Sequence, residues 1–457
     1  MPVRYPPHSQ WVQARSLSYY LTATFWSIRR ILTLRRVLLL ATASTVLSIL
    51  FVLRSGIPPT LMEIRDYENN LPQHNLTEAL YDKSLDPPGR RKYLRVEGGA
   101  HGVGFNNVLQ QLLHLTYLAH ESGRAFVFED YTWSQLPFRY TLYDYALRPT
   151  RLPINAITSG ASAGGAVPLD SLRSVSVGFF NQVCREENRV VIDASEAPPE
   201  SDFNSGTQLV RWWLDRLKKV GHRPCVVIRA TKQFTIFDWS YIGSPLPLSF
   251  FPLLNSSAAV THFSWSPLVL SAVARNFALL KPSDPQSLFV GGTEASVLKG
   301  LVALHLRRGD FKSHCHFVHE HHAQYSGFNK LEVLLDKFNS AANPSFDYYR
   351  QHCYPDIDEI LEKLNQVRKD NPSLGLKRVF LLSNGSGWWV YRLAQKLKEN
   401  GWTDVVGSND LRLDSGQKQV SGAVDMAIAE KAEVFIGNGF EWEYYFATSR
   451  EGDEAGE

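Results

Sequence analysis

Short apolar runs alternate with helical patterns along most of the chain, and this alternation restricts the fold more than any other feature. In the first half, Tyr93–Val96 is a predicted strand, a glycine-rich turn follows, and Asn106–His120 has helical spacing. Ala125–Phe128 returns as a strand, which is the order of a parallel sheet with helices on its faces. Further predicted elements are strands at Val190–Ile192 and Cys225–Ile228 and a helix at Gln208–Val220.

The same alternation returns after a proline-containing segment, Lys281–Pro285, which we take as the boundary between two lobes. Strands are predicted beyond it at Leu301–Leu306, Arg378–Leu382 and Glu433–Ile436, and helices at Ile357–Val367, Trp388–Asn400 and Val420–Lys431. A chain of 457 residues is too long for one ordinary core. We therefore predict an α/β protein with two Rossmann-like lobes, residues 92–283 and 284–440, and a ligand in the cleft between them.

The segment Val37–Leu53 has no charged side chain and is long enough to cross a bilayer as a helix. Several arginines precede it and only Arg54 follows closely, so the positive-inside rule places residues 1–36 in the cytoplasm. We expect a single-pass type II signal anchor at residues 37–53, an extended stem at 54–91, and lumenal lobes in the Golgi or endoplasmic reticulum. A cleaved signal peptide and a buried soluble helix are the alternatives.

Glycosylation sequons and cysteines agree with a lumenal location. The sequons stand at Asn75, Asn255 and Asn384, and we take the first two as candidate glycan carriers. The four cysteines allow three disulfide pairings. The pairing that keeps each bridge within one lobe is Cys184 with Cys225 and Cys315 with Cys353. The net charge of +3 is small and no basic cluster accompanies a nucleic-acid-binding module, so we expect no nucleic acid partner.

Several other segments are interpreted as structural. Ser159–Gly165 and Pro198–Gly206 are rich in small and polar residues and are predicted to be surface insertions in the first lobe. The histidine-rich tract His314–His322 contains zinc-ligand types but lacks a CxxC partner, so we interpret it as a loop. The pairs Trp212–Trp213 and Trp388–Trp389 lie at helical positions, where core packing is favoured over stacking on a sugar.

The segment His305–Asp310 (HLRRGD) directly follows the first apolar strand of the second lobe, where a sheet of this kind binds its ligand. Arginine presents a planar fork of donors that matches phosphate oxygens and stays charged at physiological pH. Neighbouring side chains on an extended segment point to opposite faces, so we assign Arg307 to a phosphate and Arg308 to a supporting role. A surface cluster of ion pairs at a strand end is the alternative.

A second candidate segment is the turn Gly98–Asn107 (GGAHGVGFNN), which opens a predicted helix. It lacks the full dinucleotide-binding fingerprint. Its glycines still allow the backbone to approach a ligand at the helix N-terminus, where Asn106 and Asn107 can add hydrogen bonds. An ordinary strand-to-helix turn with an asparagine cap is the alternative.

Together with a late segment, Val424–Phe440, these motifs resemble the GDP-fucose protein O-fucosyltransferases, in particular their fungal-type members, a superfamily shared with α1,6-fucosyltransferases. The motifs stand here as GxGFNN, HLRRGDF and VDMAI…EVFIGNGF, and the similarity runs from about Gly98 to Phe440. The resemblance implies a GT-B architecture, with the acceptor on the first lobe and GDP-fucose on the second. It also implies an inverting transfer, without a metal or another cofactor, to a Ser or Thr hydroxyl of an acceptor glycoprotein.

The resemblance also assigns roles to individual residues. Arg307 matches the family arginine that binds the β-phosphate and stabilises the departing GDP, and Asn106 matches the asparagine near the donor phosphate and the acceptor oxygen. These two are the catalytic candidates. The residues expected to bind the substrate are His305, Arg308, Asp310, Gly104, Phe105, Ser383, Asn384 and Asp425.

The chain departs from the family after Phe440. Relatives continue with hydroxyl-bearing residues that bind phosphate, whereas Glu441 would repel a diphosphate. Residues 441–457 form a divergent acidic tail, which we attribute to a mispredicted coding boundary. The GFNN turn offers no carboxylate as catalytic base, and Asp310 and Glu97 are the candidates. A glycan-directed fucosyltransferase and a non-catalytic protein that binds GDP or a glycoprotein are the alternatives.

Overall fold

The structure is a computed structural model and describes residues 34–440 apart from 86, 99–101, 135, 144–145, 169–171, 231–235, 238, 282–296, 310 and 326. The chain forms two compact units. One comprises residues up to Pro58 together with Tyr140–Arg148, and the other comprises Pro59–Arg139 and the chain from Pro149 onward. Apart from Tyr140–Arg148, both predicted lobes belong to the second unit.

The strands and helices that the sequence predicts are present in the predicted order, and further elements lie between them. The helices are α1 (Leu34–Ser55), α2 (Met62–Asn69), α3 (Leu76–Leu80), α4 (Phe105–Glu121), α5 (Val177–Val183), α6 (Gly206–Val220), α7 (Trp239–Gly243), α8 (Leu246–Asn255), α9 (Ala258–Thr261), α10 (Pro267–Arg275), α11 (Phe277–Leu280), α12 (Phe311–Glu320), α13 (Phe346–Cys353), α14 (Ile357–Asp370), α15 (Gly387–Glu399) and α16 (Ser421–Glu430). The strands are β1 (Tyr93–Glu97), β2 (Ala125–Phe128), β3 (Tyr131–Thr132), β4 (Tyr140–Tyr143), β5 (Ala146–Pro149), β6 (Arg151–Leu152), β7 (Val175–Ser176), β8 (Val190–Asp193), β9 (Cys225–Arg229), β10 (Leu298–Leu306), β11 (Arg378–Ser383), β12 (Asp404–Gly407) and β13 (Ala432–Ile436).

The predicted membrane anchor, residues 37–53, lies within α1. Across the part of the chain that the structure describes, no helix combines the length and the apolarity needed to cross a bilayer. The predicted anchor is therefore not confirmed.

The first lobe contains a parallel sheet with the strand order β7-β2-β1-β9-β8. Alternate residues of its strands enter two cores, because successive side chains of a strand point to opposite faces. Leu94, Phe126 and Val226 pack with α4 and α6 on one face. Tyr93 and other residues of the opposite register pack with α5 on the other face. Helices on both faces of a parallel sheet are the arrangement that the sequence predicts for this lobe.

The second lobe contains a separate parallel sheet with the order β12-β11-β10-β13. Val302, Leu304 and Leu306 of β10 pack with α14 and α15, whereas Leu301 and Ala303 face the larger core that includes α16. The α/β class with two parallel sheets flanked by helices is therefore confirmed, and it has the composition of a GT-B protein.

The chain on either side of the predicted boundary between the lobes makes contacts across it, and the boundary itself stays a prediction. Residues 282–285 of the predicted boundary lie outside the described residues. Helix α10 precedes them in sequence but packs with α16 of the second lobe, and the Trp265 indole N–H donates to Glu430 at 2.6 Å. The backbone N–H of Arg412 donates to the Asn276 side chain at 2.8 Å. The end of the predicted first lobe therefore contacts the second lobe closely.

The predicted extended stem is wrong for its second half, because α2 and α3 pack on the first lobe. Arg65 of α2 donates two hydrogen bonds of 2.5 Å to the Asp130 carboxylate, and Glu68 is buried at 4% exposure. The buried Gln73 side chain donates to the carbonyl oxygens of Gly164 and Ser174. These contacts order short helices that have no sustained periodicity of their own.

Three further predictions are corrected. Ser159–Gly165 is not a surface insertion: its centre, Ala161–Ala163, is buried, and a Cβ on Gly160 would lie 2.5 Å from the His262 carbonyl oxygen. Small residues there permit close packing rather than flexibility. Most of the histidine-rich tract is helical, as α12, since its apolar residues Cys315 and Val318 face a core. Trp213 is in the core as predicted, but Trp388 is 66% exposed.

The cysteines form Cys184–Cys225 and Cys315–Cys353, which is the pairing favoured from the sequence. The first joins the end of α5 to the start of β9, and the second joins α12 to the end of α13. Each bridge therefore lies within one lobe.

Candidate functional site

The HLRRGD motif occupies the carboxyl end of β10. This strand pairs with β11 as far as Leu306 opposite Ser383, and the motif continues beyond the last pair. Arg307 is exposed there, and its guanidinium carbon lies 5.3 Å from the centroid of the Phe311 ring. His305, two residues earlier, is partly buried. Arg307 thus leaves a buried strand at the point where parallel sheets bind ligands.

Arg308 makes different contacts from Arg307. Its guanidinium carbon lies 3.5 Å from the centroid of the Tyr354 ring and 4.3 Å from that of the Trp389 ring, and it donates to the Pro355 carbonyl oxygen at 2.6 Å. Burial lowers the pKa of Arg308 from its ordinary value. Both rings are attracted to a cation over their faces. Two rings and a carbonyl oxygen therefore hold the Arg308 guanidinium, and its supporting role stays a prediction.

A cavity of about 530 Å³ opens at the carboxyl ends of β10 and β13. His305, Arg307 and Arg308 contribute to its lining, together with residues of α14. Its volume lies in the range of small-molecule sites. All of its lining residues belong to the second lobe, so the predicted location in a cleft between the lobes is not shown.

Most of the lining residues were not singled out from the sequence, among them Tyr325, His352, Lys363 and Asn438. Asn438 donates to the Cys353 carbonyl oxygen at 2.6 Å, which fixes the turn after β13 against the end of α13. Asn438 belongs to the GNGF motif and could have been found from it. Tyr325 and His352 lie in segments whose sequences carry no ligand-binding signal.

Ser383 and Asn384 lie beside the HLRRGD motif rather than in the cavity lining. The Ser383 hydroxyl donates to the Leu306 carbonyl oxygen at 2.6 Å, and the Asn384 Oδ1 accepts from the Arg308 backbone N–H at 2.6 Å. Their side chains therefore hold the chain that carries Arg307. The predicted direct contact with a donor stays a prediction.

Asp425 lies on α16, away from the cavity lining. Its Oδ2 accepts a hydrogen bond of 2.8 Å from the Ser408 hydroxyl, which follows β12. The predicted contact of Asp425 with the substrate is therefore not tested by the cavity.

The first-lobe motif forms the N-terminus of α4. Gly104 is the N-cap residue and lacks a side-chain cap, and the Phe105 ring packs edge-on against Tyr131 with 5.5 Å between centroids. Asn106 is 9% exposed, and within the described residues neither atom of its amide has a hydrogen-bond partner. A buried polar group without a partner is costly, so this amide is suited to a ligand that would satisfy it. None of the described residues of this motif lines the cavity.

The structure does not select a catalytic base from the two candidates, Asp310 and Glu97. Asp310 lies outside the described residues, as does Glu441. Glu97 forms ion pairs with Arg229 at 3.1 Å and Arg95 at 3.5 Å, and a base at this position would have to leave both. Within the described ranges, no group of three or more His, Cys, Asp or Glu is placed to hold a metal ion.

An exposed guanidinium at the carboxyl end of a central parallel strand of this α/β protein, beside a cavity of ligand size, is suited to an anionic ligand. The sequence profile of one family, described as GDP-fucose protein O-fucosyltransferase, matches residues 254–441, a stretch that contains this strand and the described cavity lining. This stretch, which is less than half of the chain, is therefore similar to that family. Membership of the fungal-type subgroup stays a prediction.

Solved structures similar to this chain include those of POFUT1. The complex of POFUT1 with GDP is 14% identical with a TM-score of 0.46, and the match covers 80% of this chain and 96% of that one. A complex with GDP-fucose is 13% identical with a TM-score of 0.46, covering 79% and 94%. No curated protein sequence matches the chain significantly. At these similarities no residue role is transferred from the solved structures.

Proposed function

We propose that this protein transfers fucose from GDP-fucose to a Ser or Thr hydroxyl of an acceptor glycoprotein, with inversion at the anomeric carbon and without a metal. The proposal rests on Arg307, which is exposed at the end of β10 and lines a cavity within the segment that matches the family. A guanidinium can donate two parallel hydrogen bonds to phosphate oxygens and keeps its charge.

In the proposed reaction the acceptor oxygen bonds to C1 of fucose on the face opposite the diphosphate. The bond between C1 and the β-phosphate oxygen breaks, its electron pair leaves with GDP, and the hydroxyl proton passes to a base. Negative charge grows on the diphosphate as this bond breaks. Arg307 would stabilise that charge from a fixed position, which is the kind of electrostatic effect that lowers a barrier most.

Asn106 would act on the acceptor side of the same reaction. Its buried amide has a free donor and a free acceptor within the described residues, and it lies in the first turn of α4. An amide of this kind can hold the acceptor hydroxyl or a phosphate oxygen in place. This role requires that the first-lobe motif and the cavity face one ligand.

The test measures GDP binding and GDP release from GDP-fucose by the full chain, produced in a eukaryotic secretory host. Arg307→Ala should weaken GDP binding on the order of 100-fold, since a charge-assisted pair to the diphosphate is lost. Arg211→Ala removes an exposed arginine of α6 and serves as the matched control. GDP affinity unchanged by Arg307→Ala, or no GDP binding by the wild type, would refute the proposal. Binding without fucose transfer would favour the non-catalytic alternative.

We also propose that the chain is a single-pass type II protein of the Golgi or endoplasmic reticulum with a lumenal catalytic part. Two disulfides support an oxidising compartment, because such bridges rarely persist in the cytosol. In cells, the full chain should resist alkaline extraction from membranes and carry glycans at Asn75 or Asn255. Full release by alkali together with the absence of an endoglycosidase-sensitive shift would contradict this location.

A further inference from the structure

Side chains of β11 and of the turn after it brace the segment that carries Arg307 on both sides. On its N-terminal side, the Leu306 carbonyl oxygen accepts from the Ser383 hydroxyl at 2.6 Å. On its C-terminal side, the Arg308 N–H donates to the Asn384 Oδ1 at 2.6 Å. Leu306 and Ser383 are the last backbone pair of the ladder, so these side chains continue the pairing where backbone bonds end.

The brace extends to the next residue. A Cβ built on Gly309 would lie 3.0 Å from the Asn384 Nδ2, so the amide rests closely against that backbone. Arg308 is itself held between contacts to Tyr354, Trp389 and Pro355. The backbone on both sides of Arg307 is therefore fixed, although the Arg307 side chain is exposed.

We infer that Asn384 is a positioning residue, which sets the direction of the Arg307 guanidinium through the Arg308 backbone instead of binding the donor itself. The Asn384 acceptor is already used by the Arg308 N–H, and Asn384 does not line the cavity. This inference rests on the proposed function, because it assigns to Asn384 an effect on the diphosphate site. A fixed guanidinium loses less conformational entropy when it binds a diphosphate than one on a loose turn.

The decisive measurement is the GDP affinity of the full chain. It shows whether the effect of Asn384 depends on Arg307. Asn384→Ala should weaken GDP binding about tenfold in the wild-type background, as expected for one lost hydrogen bond. In the Arg307→Ala background the same substitution should have no further effect, because the group that it positions is gone. The melting temperature of Asn384→Ala should stay close to that of the wild type.

Two variants separate this role from other effects. Asn384→Ser keeps a neutral acceptor for the Arg308 N–H and should recover part of the affinity. Ser386→Asp removes the sequon at Asn384 but keeps a capping side chain at the start of α15, so it should bind GDP like the wild type. This control shows whether a lost glycan explains the result.

The outcomes distinguish the inference from the proposed function. A wild-type chain that does not bind GDP overturns both. Loss of binding in Arg307→Ala with unchanged binding in Asn384→Ala overturns the positioning role alone. Equal tenfold losses from Asn384→Ala in both backgrounds would also overturn it, since the effect would then not pass through Arg307.

Discussion

The residues that matter most for the proposed chemistry differ in how their polar groups are satisfied. The amide of Asn106 is buried without a hydrogen-bond partner in the described part of the chain, whereas that of Asn384 bonds the Arg308 backbone. An unsatisfied buried group costs stability, and such groups concentrate where a ligand later supplies the partner. Under the proposed function, these two asparagines therefore have separate roles: Asn106 binds the ligand and Asn384 binds the protein backbone.

Glu68 is the buried carboxyl with the clearest consequence for stability. It accepts from the Asn155 N–H at 3.2 Å and from Arg65 at 3.2 Å, and Arg65 also binds Asp130. Burial raises the pKa of Glu68 to about 7, while the hydrogen bond from Asn155 and the charge of Arg65 oppose this rise. The folded protein thus binds this proton more tightly than the unfolded chain does.

We predict that the stability of the protein falls as pH rises through the pKa of Glu68. The raised pKa of Glu68 contributes to the free energy of unfolding. This contribution is fully present below the pKa of the unfolded chain, near 4.5, and is lost as pH rises through the folded pKa of about 7. Relative to Glu68→Gln, the wild type should lose on the order of 3 kcal/mol of unfolding free energy over this interval.

Denaturant unfolding of both proteins at pH 5 and pH 8 measures the difference. Glu63→Gln, at an exposed position of the same helix, is the matched control and should change little with pH. Parallel pH profiles for the wild type and Glu68→Gln would show that this carboxyl titrates normally.

At the scale of elements, the turn from β11 to α15 links the sheet to the arginine motif. Gly385 lies in this turn, and a Cβ there would lie 2.9 Å from the Trp389 ring and 3.2 Å from the Arg308 Cγ. Gly387, at the start of α15, has no atom within 4 Å of an added Cβ. Alanine substitutions at these two glycines therefore compare a crowded position with an open one in the same segment.

Gly385→Ala should destabilise the protein by about 1–3 kcal/mol, because the added methyl displaces Trp389 or Arg308. It should also weaken GDP binding, because a shift of Arg308 would displace the neighbouring Arg307. Gly387→Ala should be neutral or stabilise by about 0.5–1 kcal/mol, because alanine favours the helix. Thermal unfolding and GDP titration of both variants check this, and equal effects of the two substitutions would contradict it.

The elements that could be predicted are those with a strong local pattern. Ala125–Phe128 and the start of β9 at Cys225 were placed correctly because buried parallel strands are continuous apolar runs. The short helices α2 and α3 could not be predicted, since their order comes from partners such as Asp130 and Gly164 that lie far away in sequence. The exposure of Trp388 could not be predicted either, because its position has the sequence pattern of a core residue.

For the candidate site, the sequence was sufficient for the motif on one strand and insufficient for its surroundings. Arg307 and Arg308 could be told apart from strand alternation alone. The contacts of Arg308 with Tyr354 and Trp389 join segments that are distant in sequence. No local sequence pattern predicts such long-range contacts.

At the scale of the whole molecule, the two sheets are separate but the polypeptide does not divide cleanly between them. Helix α10 precedes the predicted boundary and packs with α16. Arg275 at its end pairs with Asp414 at 3.0 Å, and Gln417 donates to Ser271 at 3.1 Å. A boundary placed by prolines marks a break in local structure, whereas the packing of a lobe is decided by long-range contacts.

The strand order β12-β11-β10-β13 also determines when the strands of this sheet can pair during synthesis. The strand that carries the arginine motif is the first of its sheet to be synthesised, and its neighbour on one side, β13, is the last. At the usual rate of translation, on the order of ten seconds separate the appearance of β10 from that of β13. During this interval one edge of β10 has no partner strand, and Asn438, which joins the end of β13 to Cys353, has not yet been made. The cavity beside Arg307 is consequently completed only when nearly all of the described chain has left the ribosome.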